Sequence, residues 1–206
     1  IEQFNARHRD PRSGAVIGYT VELQTAAARE IERAGELLDR RFVSYMEVPI
    51  ADDPEALVVA IAGTKAQAKV RTGGVTAETF PSSAQVIRFI GRCQAHGVAF
   101  NATAGLHHPW RSEYQLTYAA DAPRGTMFGF LNVLLAAAGL RAGWSREDAI
   151  AIIEERDATT VRFDAEGVRT LLVARDGAAL VAMAADFRRA ATLSVDLSDV
   201  RATNRL

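Results

Sequence analysis

Residues 42–74 read FVSYMEVPIADDPEALVVAIAGTKAQAKVRTGG, and this stretch indicates the fold. The segment Phe42–Val48 suits a β-strand, because it combines aromatic, β-branched and alternating apolar residues. A helix is expected from Asp53-Pro54-Glu55 to a stop near Gly63, since aspartate caps helices and proline is tolerated in their first turn. Gln67–Arg71 then suits a second strand. A strand–helix–strand unit of this length predicts two parallel strands joined by a helical crossover.

The same alternation extends on both sides of this unit. Helix starts are marked by serine or aspartate, and helix ends by glycine. Two further strands are predicted, Ala15–Leu23 and Val98–Ala104, and a β-hairpin is predicted over Thr160–Leu172. The further helices predicted are Thr25–Leu38, a helix from Pro81-Ser82-Ser83 to about His96, Thr126–Leu140, a helix from Ser145 to Glu155, and an alanine-rich helix after Gly177.

Repeated strand and helix alternation predicts an α/β protein with a mainly parallel sheet and a C-terminal β-hairpin plus helix. The sheet closes as a (β/α) barrel, complete or incomplete, or stays open and doubly wound. An eight-fold barrel typically needs about 250 residues, and this chain has 206, which favours an incomplete barrel over a full one. Residues 1–12 are expected to form a loose arm and residues 13–206 a single domain.

Composition excludes several classes of partner. The chain carries 24 basic and 25 acidic residues, so no excess of positive charge favours nucleic acid or an anionic membrane. The apolar run Phe128–Leu140 is too short to cross a bilayer. Cys93 is the only cysteine, which excludes an intrachain disulfide and a cysteine-rich metal site. These features predict a cytoplasmic protein without a nucleic-acid or membrane partner.

Polar side chains stand near the carboxyl ends of three predicted strands, where ligands bind in parallel sheets. Period-two alternation places them on one face of each strand. Buried parallel strands usually carry aliphatic side chains, so the presence of polar residues here has to be explained. One explanation is a ligand site. The other is a buried salt bridge from Glu47 to Lys69 or Arg71, in which the charged side chains neutralise each other and no ligand is involved. The residues are Tyr45 and Glu47, Lys69 and Arg71, and Asn101 and Thr103.

Arg71-Thr72-Gly73-Gly74 is a candidate anion-binding turn. Two glycines after a strand let the backbone approach a ligand and present N–H groups to it. The neighbouring guanidinium can grip a carboxylate or phosphate with two hydrogen bonds. The spacing matches neither a P-loop nor a dinucleotide-binding fingerprint.

A second cluster follows the strand at 98–104. His107 or His108 is a candidate general acid or base, because histidine titrates near neutral pH. Both histidines with Glu47 could ligate a divalent metal in an irregular loop, but no cofactor is predicted. Arg111 and Asn132 are candidate ligand contacts.

Four segments together resemble a bacterial family of uncharacterised TIM-barrel-like proteins. In that family's pattern a lysine stands at the position of Asn101 and a histidine at the position of Phe128. The resemblance covers roughly residues 42–169, implies a (β/α) fold and brings no established activity. The segments are Ala68–Gly74, Phe80-Pro81-Ser82, Ala102–Pro109 and Gly129–Val133.

The residues favour an enzyme that acts on a small phosphorylated or carboxylated metabolite by lyase, aldolase or isomerase chemistry. The alternatives are a non-catalytic ligand-binding or assembly protein, which could form a homodimer, and a metal-dependent hydrolase. The predicted catalytic residues are Lys69, His107, His108 and Glu47, and the predicted ligand-binding residues are Arg71, Thr72, Gly73, Gly74, Asn101, Thr103, Arg111 and Asn132.

Overall fold

The computed structural model describes residues 1–10, 12, 17–38, 42–164, 167–173 and 179–181. A parallel sheet of four strands, in the order β1-β2-β3-β4, forms its centre. Each pair of successive strands is joined by one helix. The elements are α1 (Glu2–Arg7), β1 (Thr20–Gln24), α2 (Ala28–Leu37), β2 (Val43–Glu47), α3 (Glu55–Ala62), β3 (Gln67–Arg71), α4 (Ser83–Ala95) and β4 (Phe100–Thr103).

The helices α2, α3 and α4 cover one face of this sheet, because successive right-handed crossovers in the same direction place their helices on the same side. α2 packs against α3, and α3 packs against α4. Every second residue of the inner strands faces these helices and is buried. The core between sheet and helices includes Ile31, Met46, Val58, Ile61, Ala68, Val70, Phe89, Ile90, Phe100 and Ala102.

Local sequence explains where α4 begins and ends. Ser82 accepts a hydrogen bond from the Gln85 backbone N–H at 3.2 Å. The Gln85 side chain accepts one from the Ser82 backbone N–H at 2.8 Å. This reciprocal capping box satisfies two of the donors that a helix start leaves unpaired. Gly97 follows the helix with φ of +65°, a left-handed conformation that ends helices and that glycine adopts without strain.

The second half of the chain adds two antiparallel sheets and two helices. α5 packs against α6, and both pack against α4. The smaller sheets have two and three strands. These elements are β5 (Ser112–Gln115), β6 (Arg124–Met127), α5 (Phe130–Arg141), α6 (Arg146–Glu154), β7 (Val161–Asp164), β8 (Gly167–Val173) and β9 (Ala179–Val181).

The α/β class and the parallel sheet are confirmed, and so is the hairpin made by β7 and β8. Closure into a barrel stays a prediction, because four strands in this order occur in open sheets and in barrels alike. In the part of the chain that the structure describes, no helix is long and apolar enough to span a membrane.

Three local predictions were wrong. The helix expected over Thr126–Leu140 starts only at Phe130, because 124–127 pair with 112–115 as strand β6. The alanine-rich stretch after Gly177 contains strand β9 instead of a helix at 179–181, and residues 182–206 lie outside the described part. The first strand begins at Thr20, while Ala15 and Val16 of the expected strand also lie outside it.

The N-terminal segment, expected to be a loose arm, contains the helix α1. Asn5 in that helix exchanges two hydrogen bonds with the backbone of Gly18, at 2.7 and 2.8 Å. These bonds attach the helix to the residues that lead into β1.

Candidate functional site

The face of the sheet opposite the helices is polar. Four side chains form one row across it, because strand register places Gln24 beside Glu47, Glu47 beside Lys69, and Lys69 beside Asn101. Arg71 and Thr103 form the next pair toward the carboxyl ends. The sequence prediction that these side chains share one face of the sheet is therefore in agreement with the register.

Lys69 is the centre of this row, and it is only 7% exposed. Its Nζ forms an ion pair with the Glu22 carboxylate and lies 3.4 Å from Glu47 Oε2. Gln24 Nε2 donates to the other Glu47 oxygen at 2.9 Å. The anticipated pair of Glu47 and Lys69 is thus present, within a triad that neutralises a buried ammonium group.

Glu22 is the member of the triad that sequence reasoning missed. It lies two residues before Gln24 on β1, so period two puts both on the polar face. An acidic residue inside a strand predicted for the same parallel sheet was the available signal. Its side chain is 47% exposed, whereas that of Glu47 is 11% exposed. The Glu22 side chain is therefore in contact with solvent, whereas most of the Glu47 side chain is shielded from it.

Asn101 is 5% exposed, and its Oδ1 has no hydrogen-bond partner in the described part of the chain. A buried acceptor without a partner is costly, at about 1–3 kcal/mol. Its strand neighbour Thr103 donates weakly to the Val70 carbonyl at 3.5 Å. An unpaired acceptor beside Lys69 is unusual for side chains that only pack against one another. The ligand role predicted for Asn101 stays a prediction.

A cleft of about 670 Å³ opens at the carboxyl ends of β1, β2 and β3. We call it the edge cleft. Glu47 lines it, which joins the cleft to the Lys69 triad. Arg71 also lines it and forms no hydrogen bond or ion pair with any residue that the structure describes. The lining residues are Gln24–Ala26, Glu30, Glu47–Ala51, Arg71, Glu78–Pro81 and Gln85.

A larger cavity, about 1010 Å³, lies at the opposite end of the sheet between α2 and α3. Its lining includes Val43, Ser44 and Gln67, which stand at the amino ends of β2 and β3. Ligands of parallel sheets bind at the carboxyl ends. The edge cleft is therefore the better candidate site despite its smaller volume.

The anion-binding role predicted for Gly73 and Gly74 stays a prediction. Neither has a positive φ, whereas a nest of N–H groups needs alternating backbone conformations. A Cβ on Gly73 would lie within 3.0 Å of the Phe80 ring, and one on Gly74 within 3.0 Å of the Thr79 side chain. The glycines make room for these two side chains, which form a wall of the edge cleft.

Thr72 has a structural role, and the ligand contact predicted for it stays a prediction. It is fully buried. Its N–H donates to the Thr103 carbonyl at 2.8 Å, and its hydroxyl donates to the Ala104 carbonyl at 2.6 Å. Ala104 has a φ of 63°, which is uncommon for a residue with a side chain. Thr72 therefore joins the ends of β3 and β4 and holds this strained residue in place.

The histidines lie in the loop after β4. The His108 ring stacks on Tyr114, with 3.5 Å between ring centroids. Burial, and secondly the charge of His107, lower the pKa of His108, so the neutral ring is favoured. Neither histidine belongs to the lining of the edge cleft. Their predicted catalytic role stays a prediction.

Asn132 was predicted to contact a ligand, and this role stays a prediction. It is fully buried on α5. Its Oδ1 accepts from the Arg111 backbone N–H at 2.8 Å, and its Nδ2 donates to the carbonyls of Ile152 and Glu155 at 2.8 and 2.9 Å. The amide joins three segments of backbone, and no donor remains for a ligand.

Arg111 lies outside the edge cleft. Its guanidinium carbon is 4.8 Å from the centre of the Phe128 ring, a cation–π contact. Burial lowers the pKa of Arg111, with Glu154 acting against this shift. The side chain packs on an aromatic ring, and its predicted contact with a ligand stays a prediction.

Among the described residues, no group of three or more His, Cys, Asp or Glu side chains is placed to hold a metal ion. No family model, curated protein or solved structure matches this chain. The resemblance to uncharacterised TIM-barrel-like proteins therefore stays a prediction, and the function is argued from the site alone.

Proposed function

We propose that this protein is an enzyme that binds a small carboxylate or phosphate ester in the edge cleft and moves a proton on it. The reaction class is that of a lyase, aldolase or isomerase, in which an enol or carbanion forms beside an anion anchor. The observation that carries the proposal is Glu47, a poorly exposed carboxylate that lines the cleft and is held by Lys69 and Gln24.

Arg71 is the proposed anchor. It is exposed, lines the cleft and has no partner among the described residues. A guanidinium fork matches a carboxylate or phosphate with two parallel hydrogen bonds. An unpaired arginine beside a cleft therefore favours an anionic group on the ligand.

Glu47 is the proposed base. It takes a proton from the carbon next to the ligand's carbonyl group, and the C–H electron pair moves onto the carbonyl oxygen. Lys69 Nζ lies 3.4 Å from Glu47 Oε2, and its positive charge stabilises the negative charge that grows on the ligand's carbonyl oxygen. Lys69 acts here as a fixed charge that positions Glu47. A Schiff base would require an amine that is not held in ion pairs, whereas Lys69 Nζ is paired with two carboxylates.

The test is a thermal-shift panel of small carboxylates and phosphate esters. A ligand at a hundred times its Kd adds about 2.7 kcal/mol of stability, which for a chain of this size raises Tm by about 5–10 °C. We expect such a rise in the wild type and its loss in Arg71→Ala. Arg141→Ala, an exposed arginine at the end of α5, is the control. No shift with any compound would overturn the proposal.

Proton transfer is tested separately by solvent exchange. A bound carbonyl acid in D₂O should exchange its α-proton in the presence of wild-type protein, followed by NMR. Glu47→Gln should bind the same acid and lose the exchange, because the amide cannot accept the proton.

A non-catalytic binding protein is the second candidate. It is favoured by the fact that Lys69 and its two carboxylates already form ion pairs with one another. Such a protein would show the same Arg71-dependent thermal shift but no solvent exchange on any bound acid. The exchange experiment therefore separates the two candidates.

A further inference from the structure

The edge cleft carries more negative than positive charge. Three carboxylates line it, from Glu30, Glu47 and Glu78, against one guanidinium, from Arg71. Of these carboxylates, only Glu47 has an ion-pair partner behind it, Lys69, which also pairs with Glu22 outside the lining. Two carboxylates therefore remain in a cleft whose anchor attracts an anion. A ligand with negative charge alone would gain from Arg71 and lose against Glu30 and Glu78.

Glu30 lies in the first turn of α2. Its Oε2 accepts the backbone N–H groups of Ala26 and Ala27 at 3.1 and 3.3 Å. These two hydrogen bonds fix the position of the carboxylate at the start of the helix. Its other oxygen forms no hydrogen bond to any residue in the described ranges, so one lone-pair face of this carboxylate is open to a donor.

Glu78 is also held as a carboxylate. Hydrogen bonds from its own backbone N–H and from the Thr76 hydroxyl lower its pKa. It therefore remains charged at neutral pH and keeps the wall formed by residues 78–81 acidic.

Thr25 gives an independent sign that the cleft can receive a polar group. It lines the cleft and is 7% exposed. Its Oγ1 has no hydrogen-bond partner within the ranges that the structure describes. Buried hydroxyl groups are nearly always paired, so an unpaired one beside a cleft points to a ligand group. Thr25 comes directly before Ala26 and Ala27, whose backbone N–H groups donate to the Glu30 carboxylate.

We propose that the ligand of the edge cleft is an amino acid, a small carboxylic acid that also carries an ammonium group. This inference rests on the proposed function and refines it. The ligand's carboxylate pairs with Arg71. Its ammonium group, which has three N–H donors, is received by Glu30 and by the Thr25 hydroxyl. Each charged group of the ligand then faces a group of opposite charge in the cleft.

The test uses matched compounds that differ only in these two groups. The panel contains α- and ω-amino acids of two to six carbons, the corresponding simple acids, and the corresponding alkylamines. Calorimetric titration of the wild type should show at least one amino acid binding ten times more tightly than its matched acid and its matched amine.

Glu30→Gln tests the ammonium contact. Glutamine keeps the capping interaction with the start of α2, so the helix should remain intact by circular dichroism. We expect this variant to lose at least tenfold in affinity for the amino acid. Its affinity for the matched acid should stay the same or rise, because a carboxylate that repels the acid is removed. Glu32→Gln, an exposed substitution on the same helix, is the control and should change neither affinity.

The outcomes separate this inference from the proposed function. If simple acids bind as tightly as amino acids in an Arg71-dependent way, the amino-acid inference is overturned and the proposed function stands. If Glu30→Gln weakens both ligands equally, Glu30 shapes the cleft without contacting an ammonium group, and the inference is again overturned. If no acid of either kind binds, both fail.

Discussion

Replacing Lys69 by methionine should destabilise the protein through the carboxylates that it leaves behind. Lysine and methionine have similar unbranched chains, so the packing volume changes little. Glu47, 11% exposed, loses its charged partner. Glu22, 47% exposed, can turn into water. The cost of the substitution is therefore mainly that of one buried carboxylate.

The magnitude follows from this difference in exposure. Removing one partner of a fully buried ion pair costs about 3–5 kcal/mol. Because one of the two carboxylates keeps access to solvent, we expect about 2–3 kcal/mol for Lys69→Met. In a chain of 206 residues, that corresponds to a fall in Tm of about 5–10 °C.

Urea denaturation followed by circular dichroism measures the effect. Lys65→Met is a matched control, since Lys65 is the only other lysine and is exposed. It should stay within about 0.5 kcal/mol of the wild type. The double variant Lys69→Met with Glu47→Gln removes the stranded charge and should recover at least about 1 kcal/mol.

Two results would refute the reasoning. The first is a Lys69→Met variant as stable as the Lys65→Met control, which would mean that the triad contributes nothing to folding. The second is a double variant less stable than Lys69→Met, which would mean that Glu47 is not the source of the cost.

Three further predictions concern residues outside the cleft. Asn132→Ala should lower the free energy of unfolding, measured by urea denaturation, by about 2–4 kcal/mol, because buried backbone groups lose their hydrogen-bond partners. Unchanged stability with a change in ligand affinity would contradict the structural role of Asn132. By NMR, His108 should titrate below its ordinary pKa of 6.5, so this residue's contribution to stability should be complete above pH 6.5 and decline below it; titration above 6.5 would contradict the stacked, partly buried ring. Cys93 is fully buried, and burial raises the pKa of its thiol, so it should react with a thiol reagent only on unfolding, and rapid reaction in the native protein would contradict its packing.

The sheet could be predicted because its strands are marked locally. Gln67–Arg71 was predicted with the bounds that the structure shows. Alternation then placed Glu47, Lys69 and Asn101 on one face without knowledge of their distances. Strand β6 could not be found in this way, because its pairing partner is a separate segment and the residues after it continue as an apolar helix.

The ligand-binding residues were harder to predict, since a buried polar residue looks the same in sequence whether its partner is a ligand or the backbone. Thr72 and Asn132 proved to bind backbone groups. Gly73 and Gly74 proved to accommodate side chains. Only the tertiary arrangement shows that Arg71 stands beside a cleft and has no partner among the residues that the structure describes.

The most direct test of the account is the affinity of the best ligand from the panel for the wild type and for Arg71→Ala, measured by calorimetric titration. A hydrogen-bonded charge contact contributes about 1.5–3 kcal/mol, so we predict a loss of about 10- to 100-fold in affinity. Arg141→Ala should bind as the wild type does. Equal affinity in all three proteins would contradict the assignment of the edge cleft as an anion-anchoring site.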